Sequence, residues 1–424
     1  MSINLEILDM TAFQSSQTLE FLKPEGITGK DTTLSISLPT LIVDEVQAES
    51  IKSSTKNGGA LLNFLSTGNF FIALILGGSM QQLFGMIRAM QMLILPGMSS
   101  VPIPSHSLIF FSACAIIAAL DMLDAASYFE EWWEFKETDA LTDSFDMYGM
   151  GDKNFIINSG SYFVYQSMVL FFILGNAFVN KLAVCNAKSK WWREIGIKYY
   201  VADIKQGIWD GSVKLFMETY IDLCFCALLN DYAFFESYFN KDWREFWQGY
   251  PNIMCSSITM IYTVLVFVFP LWGLYGICKN FGNLQDPVVD SKIGMFYRDN
   301  RTQYMHQALY NIVFLVRRGL SVMILIYMVD TPFFQLSLFM IFSTFNLNYI
   351  AHSKPLLQMK DNYIEVFNEI CICIVAHIMV NLLNLSIPFD LKDNFGWILI
   401  GVSLFNVCVN LCITFWASIK LGWL

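Results

Sequence analysis

The chain has 424 residues, of which 55% are hydrophobic and only 15% charged, with a mean hydropathy of +0.47. Soluble domains carry about 25% charge, so this composition leaves too little polar surface for a soluble enzyme. The net charge of −10 argues against nucleic acid as a partner.

Residues 1–58 are polar to mixed and precede a hydrophobic domain over 59–424. The first 59 residues hold no apolar run of the signal-peptide kind, so no signal peptide is expected. Thr32-Thr33-Leu34-Ser35-Ile36-Ser37-Leu38 alternates as a half-buried strand does. Leu41-Ile42-Val43 is a second strand candidate, with disorder as the alternative for this juxtamembrane piece.

A bilayer core of about 30 Å needs about 20 apolar residues of helix. Nine stretches qualify: 60–82, 105–123, 154–180, 210–230, 252–278, 306–329, 332–352, 361–385 and 395–419. The fold class expected is therefore all-α, a polytopic bundle of about nine spans. The stretch at 105–123 is the shortest in apolar length, so lying in the interface or re-entering is its alternative.

Orientation follows from the Lys/Arg bias of the loops. With the N-terminus outside, the inner loops are 83–104, 181–209, 279–305, 353–360 and the C-terminus. They hold 14 basic residues, Arg88 among them, against 5 in the outer loops. The C-terminus is then cytoplasmic. Loop 124–153, on the outer side, is rich in Asp and Glu and is either a solvated loop or a cation-concentrating vestibule. The outer stretch 231–251 is rich in Phe, Tyr and Trp, as an interfacial segment would be.

Ionisable groups at membrane depth are costly, so each is a functional candidate. Lys214, Glu218 and Asp222 share a helical face at i, i+4, i+8. They form either a salt-bridge ladder or the lining of an ion path. Glu365, Glu369, His377 and Asn381 follow one another at multiples of four and form a second stripe, again either helix glue or a cation path. Arg317 and Arg318 point about 100° apart. One can meet a carboxylate, Glu369 or Glu218, while the other finds backbone or lipid phosphate. Two arginines do not make the repeating ladder of a voltage sensor. Pro270 is expected to kink its helix.

Nothing in the chain marks an enzyme: Walker A, G-x-S-x-G and H-E-x-x-H motifs are missing. The ten cysteines sit mostly in apolar stretches and read as buried thiols rather than a disulfide framework. No metal site and no cofactor are expected.

Gly78-Ser79-Met80-Gln81-Gln82-Leu83-Phe84-Gly85-Met86-Ile87 resembles the G-S-L-Q-x-L-W-G-M-I segment of TRP-like multipass proteins of single-celled eukaryotes. Lys354-Pro355-Leu356 through Asn362, Glu365, Phe367, Asn368 and Glu369 resembles their K-P segment running into a late transmembrane helix. Lys198-Tyr199-Tyr200, Glu218-Thr219-Tyr220-Ile221-Asp222-Leu223 and the Arg317-Arg318 pair fit the same pattern. The resemblance covers roughly residues 60–420. It extends distantly to fungal TRP-like and flavin-carrier membrane proteins and to polycystins. It implies a cation channel or channel subunit, able to form homo-oligomers, in the plasma membrane or an endomembrane. A flavin or lipid transporter and a non-conducting receptor anchor are the alternatives. The polar N-terminal segment would then be the end of a larger β-rich ectodomain. No selectivity-filter or catalytic motif transfers by this resemblance.

Overall fold

In the computed structural model, residues 3–11, 14–20, 35–36, 80–118, 140–160, scattered positions between 162 and 181, 209–239, 250–384 and 387–422 are described. The N-terminal piece is a three-stranded antiparallel sheet. Strand β1 (Ile3–Thr11) pairs with β2 (Gln14–Glu20), which pairs with β3 (Ser35–Ile36). Only β3 falls in the alternating stretch at 32–38. Strand β2 reads Gln-Ser-Ser-Gln-Thr-Leu-Glu and offers no apolar face to reveal it. Leu41-Ile42-Val43 lies outside the described residues.

Everything else in the described structure is helical or connecting. The longer helices are α1 (Met80–Ile94), α2 (Ser105–Ala118), α3 (Tyr220–Phe239), α4 (Tyr250–Asn280), α5 (Tyr310–Tyr327), α6 (Pro332–Ser353), α7 (Met359–Leu382) and α8 (Phe389–Gly422). Residues 209–218 are also helical, and a bend at Thr219 joins them to α3. Among the described residues, five stretches are long and apolar enough to cross a bilayer: Ile253–Asn283, Tyr310–Tyr327, Pro332–Ser353, Met359–Leu382 and Asp390–Trp416. They coincide with the last five expected spans. The chain is thus a membrane-embedded, multipass helical bundle.

Local chemistry sets the helix ends. Helix α4 runs 31 residues with Lys279 as its first Lys, Arg, Asp or Glu, one residue before its end, and holds Pro270 inside it. Pro332 opens α6, where its missing N–H costs nothing. Lys354 closes α6 in the left-handed region (φ 45°), and Pro355 follows, which cannot continue a helix. At 34 residues, α8 reaches about 51 Å and extends past a bilayer core.

The surface is the reverse of a soluble protein's. Ile261, Val264, Val268 and Leu271 on α4 and Phe405, Phe415 and Trp416 on α8 are exposed. Arg317, Arg318, Glu369, Asn346, Asn368 and Asn406 are buried. Apolar side chains that face outward lose nothing against lipid, whereas charge there would be costly.

Helix α3 packs between α4 and α5, and α5, α6, α7 and α8 pack in chain order. Helix α1 sits against α2, α7 and α8. Two loops are knitted at one end: Arg301 N–H donates to the Pro355 carbonyl (2.7 Å), and Leu357 N–H to the Asp299 carbonyl (3.2 Å). Asn362 adds both partners to Leu356, accepting from its N–H (3.0 Å) and donating to its carbonyl (2.9 Å). Loops 279–305 and 353–360, expected on one side of the membrane, do meet at this knitted end.

The expected inner loop 83–104 is corrected. Residues 80–94 are α1, buried along Met86, Ile87, Met90 and Leu93. Arg88 therefore lies within the bundle rather than in a loop. Gly85 lies beside Leu356 at the knitted end, while Ser100 N–H reaches Gln335 at the far end of α6 (3.3 Å). Helix α1 thus runs from the knitted end toward the opposite end. Ser107 Oγ donates to the Gly396 carbonyl (2.9 Å), and His106 stacks on Trp397, so α2 starts at that opposite end too. Further along α2, Phe111 still lies against Gly97, and Tyr148 packs there as well.

Other expectations fare unevenly. Stretch 60–82 lies outside the described residues up to 79, and 154–180 is described only in part. Helix α3 continues to Phe239, into the stretch expected to be an interfacial loop. Of the cysteines, Cys114, Cys224, Cys226, Cys255 and Cys371 are buried. Cys278, Cys408 and Cys412 are instead exposed on outward faces. Cys185 and the acidic stretch 124–139 lie outside the described residues.

Candidate functional site: a mid-bundle charge network

Arg88 and Gln91 are three apart on α1 and share a face. Arg88 Nε stands 3.6 Å from Glu218 Oε2, and Gln91 Nε2 donates to Asp222 Oδ2 (3.3 Å). Gln91 Oε1 accepts from Arg318 Nη2, and Arg318 Nη1 also donates to the Met217 carbonyl (3.5 Å). Phe314, one turn before Arg318 on α5, has two guanidiniums over its ring: Arg318 is 4.6 Å from the ring centroid and Arg88 5.7 Å. Both distances suit cation–π attraction, which strengthens away from water.

Arg317 turns to the other side of α5. Its Nη1 donates to Glu369 Oε1 on α7 (2.5 Å), and its Nη2 to Ser343 Oγ on α6 (3.1 Å). Asn346 Nδ2 donates to the same Glu369 oxygen (2.9 Å). Arg318 is 0% and Glu369 2% exposed. Among the described residues, Glu369 Oε2 and Asn346 Oδ1 accept no hydrogen bond.

Arg88 thus meets Glu218, Arg317 meets Glu369, and Gln91 links Arg318 to Asp222, in a network spanning α1, the 209–218 helix, α3, α5, α6 and α7. Buried charge persists where it is paired and hydrogen-bonded. Glu218 and Glu369 each sit against a guanidinium.

The sequence candidates are placed as follows. Glu218, Asp222, Glu369, Arg317 and Arg318 meet in the network, and Arg317 finds Glu369, one of its two expected partners. Lys214 is half-buried one turn before Glu218. His377 and Asn381 do not join. His377 is exposed, and Asn381 Nδ2 donates to its carbonyl (2.8 Å). The cause is helical drift: each i+4 step advances about 40°, so a stripe that begins inward at Glu369 has turned about 80° by His377.

Arg88, Gln91 and Phe314 were not read from the sequence. Arg88 and Gln91 do carry a signal, since both lie on one face of a stretch that is otherwise apolar from Leu83 to Ile94.

A further staple joins α7 to α8. Asn368 Oδ1 accepts from Asn406 Nδ2 (3.0 Å) and Asn410 Nδ2 (2.8 Å). Outside the spans, Arg298 bridges Asp290 (Nη2–Oδ2 2.9 Å) and Asp210 (Nη1–Oδ2 2.6 Å). The Asp290 hydrogen bonds lead in raising the Arg298 pKa further, with Asp210 adding to them against the opposing pull of burial. Burial pushes the neighbouring Tyr297 phenol up to about 12. Among the described residues, no group of three His, Cys, Asp or Glu is placed to hold a metal ion.

Compared with protein-family models, curated proteins and solved structures, this chain matches none.

Proposed function

We propose that this chain is a subunit of a TRP-like cation channel in which the mid-bundle network is a lock that sets the packing of the helices, rather than the lining of the permeation path. The observation that carries the reading is the joining of two arginine–carboxylate pairs, and of Arg318 to Asp222 through Gln91, across six helical segments. Charge at membrane depth is costly and is kept mainly where it works. Paired charges with alternative partners nearby suit a bundle with two packings. A passive anchor has no need of such a network.

The proposed topology keeps about nine crossings, with α1 taking the place of α2 as the second. The knitted end then faces the cytoplasm and the N-terminus lies outside. Without Arg88, the loop tally remains 13 basic residues against 5.

The test is ionic current from purified protein in planar bilayers. Cation-selective current in the wild type, with open probability changed by Glu369→Gln or Arg317→Gln but ion selectivity kept, is the expected result. Changed selectivity would place these residues on the path itself. No current in any condition of voltage, calcium or lipid would end the channel reading. A transporter is the second reading, favoured by a pocket that opens beside the network at the knitted end.

A further inference from the structure

That pocket is a small cleft, open to the outside, between α1, the Leu356 loop, α7 and α8. Its polar wall is of two kinds. Arg88 and Asn368 bring donors, and Asp361 and Glu365 bring carboxylates. Asn368 is 1% exposed, and its Oδ1 is used by Asn406 and Asn410. Among the described residues its Nδ2 makes no hydrogen bond of normal length and angle, although the Glu365 carboxylate lies close enough to interact with it. Asp361 Oδ1 is a buried acceptor likewise without a partner. A buried N–H and a buried carboxylate oxygen left unpaired in one pocket each carry a desolvation cost that a ligand can relieve.

The two deficits are complementary in kind. A simple anion would meet Asp361 and Glu365, and a bare metal cation would meet Arg88. A dipolar ligand satisfies both walls. Its acidic oxygens take N–H from Asn368 and Arg88, and its ammonium donates to Asp361 and Glu365. Within two residues of lining positions along the chain, Leu357, Met359, Tyr363, Phe415 and Trp416 are exposed. Aromatic and apolar side chains of this kind mark headgroup depth.

We infer that this pocket binds a zwitterion carrying a primary ammonium and an acidic oxygen group, of the phosphoethanolamine kind. A lipid headgroup and a free small zwitterion share this chemistry. Binding requires no conduction, so this inference and the channel reading fail separately.

The test uses the full chain in detergent and in lipid nanodiscs. Glycerophosphoethanolamine and inorganic phosphate are titrated by calorimetry. Retention of phosphatidylethanolamine against phosphatidylcholine and phosphatidylglycerol is read by native mass spectrometry. Selective retention of phosphatidylethanolamine is expected, since a quaternary ammonium cannot donate to the carboxylates. Binding of the soluble probe as well would extend the site to free zwitterions; retention of the lipid alone would assign it to the headgroup. Asn368→Asp keeps the acceptor for Asn406 and Asn410 but loses the donor, and should weaken binding at least tenfold. Glu365→Gln, with an unchanged melting temperature, should do the same and carries the test if the first variant does not fold. Inorganic phosphate binding as well as glycerophosphoethanolamine, no preference among lipids, or folded variants that bind as the wild type does would each overturn the inference.

Discussion

Arg317 and Glu369, 52 residues apart in the chain, meet at 2.5 Å in the middle of the bundle, with Ser343 and Asn346 completing the contact. Removing one partner leaves the other charged and buried. Glu369→Gln or Arg317→Gln is therefore expected to cost about 3–5 kcal/mol, while Arg317→Met with Glu369→Leu recovers much of that loss. Thermal unfolding in detergent over this mutant cycle checks it. Singles no less stable than the double would show that the pair is not coupled.

Phe314 lies beneath two guanidiniums. Phe314→Leu keeps most of the apolar volume and loses the ring face. A loss of about 1–2 kcal/mol is expected from cation–π contact in a desolvated setting. In an Arg318→Lys background the further effect of Phe314→Leu should shrink, and a double-mutant cycle reads the difference.

The side chain of Asn362 satisfies the backbone of Leu356 on both sides. Asn362→Ala leaves that N–H and carbonyl unpaired, at about 1–3 kcal/mol. Hydrogen exchange at Leu356 should quicken, while exchange within α4 stays as in the wild type.

Two glycines separate packing from helix propensity. A Cβ on Gly273 would stand 2.5 Å from Ile312 Cδ1 and 2.9 Å from Phe296 Cε1, whereas one on Gly401 meets nothing within 4 Å. Gly273→Ala should destabilise by about 1–3 kcal/mol through overpacking, and Gly401→Ala should be neutral or better. Equal melting temperatures for the two variants would contradict this.

Tyr297 lies outside the spans and donates its hydroxyl to the Leu284 carbonyl (2.8 Å). Its pKa is raised from 10.0 to about 12 by burial. The unfolded chain therefore loses this proton first. Stability from the group is full below pH 10 and drains away as pH rises to about 12. Tyr297→Phe should flatten that limb of a stability–pH profile; identical limbs would refute it.

Much of this architecture is legible in the chain. Long, mainly apolar stretches mark the last five candidate spans, because a bilayer core admits charge only where it is paired. The Lys/Arg bias puts loops 279–305 and 353–360 on one side, and they meet there. Adjacent Arg317 and Arg318 must point apart, and they find different partners. Only the tertiary structure decided the rest. Helix α1 is short and carries Arg88 and Gln91, so hydropathy places it in a loop until Glu218, Asp222 and Arg318 are seen around it. The stripe from Glu369 to Asn381 fails because i+4 spacing drifts around a straight helix, so neighbours in sequence register separate in azimuth. Linear spacing specifies a face of one helix, and which faces meet is settled by the packing of all of them.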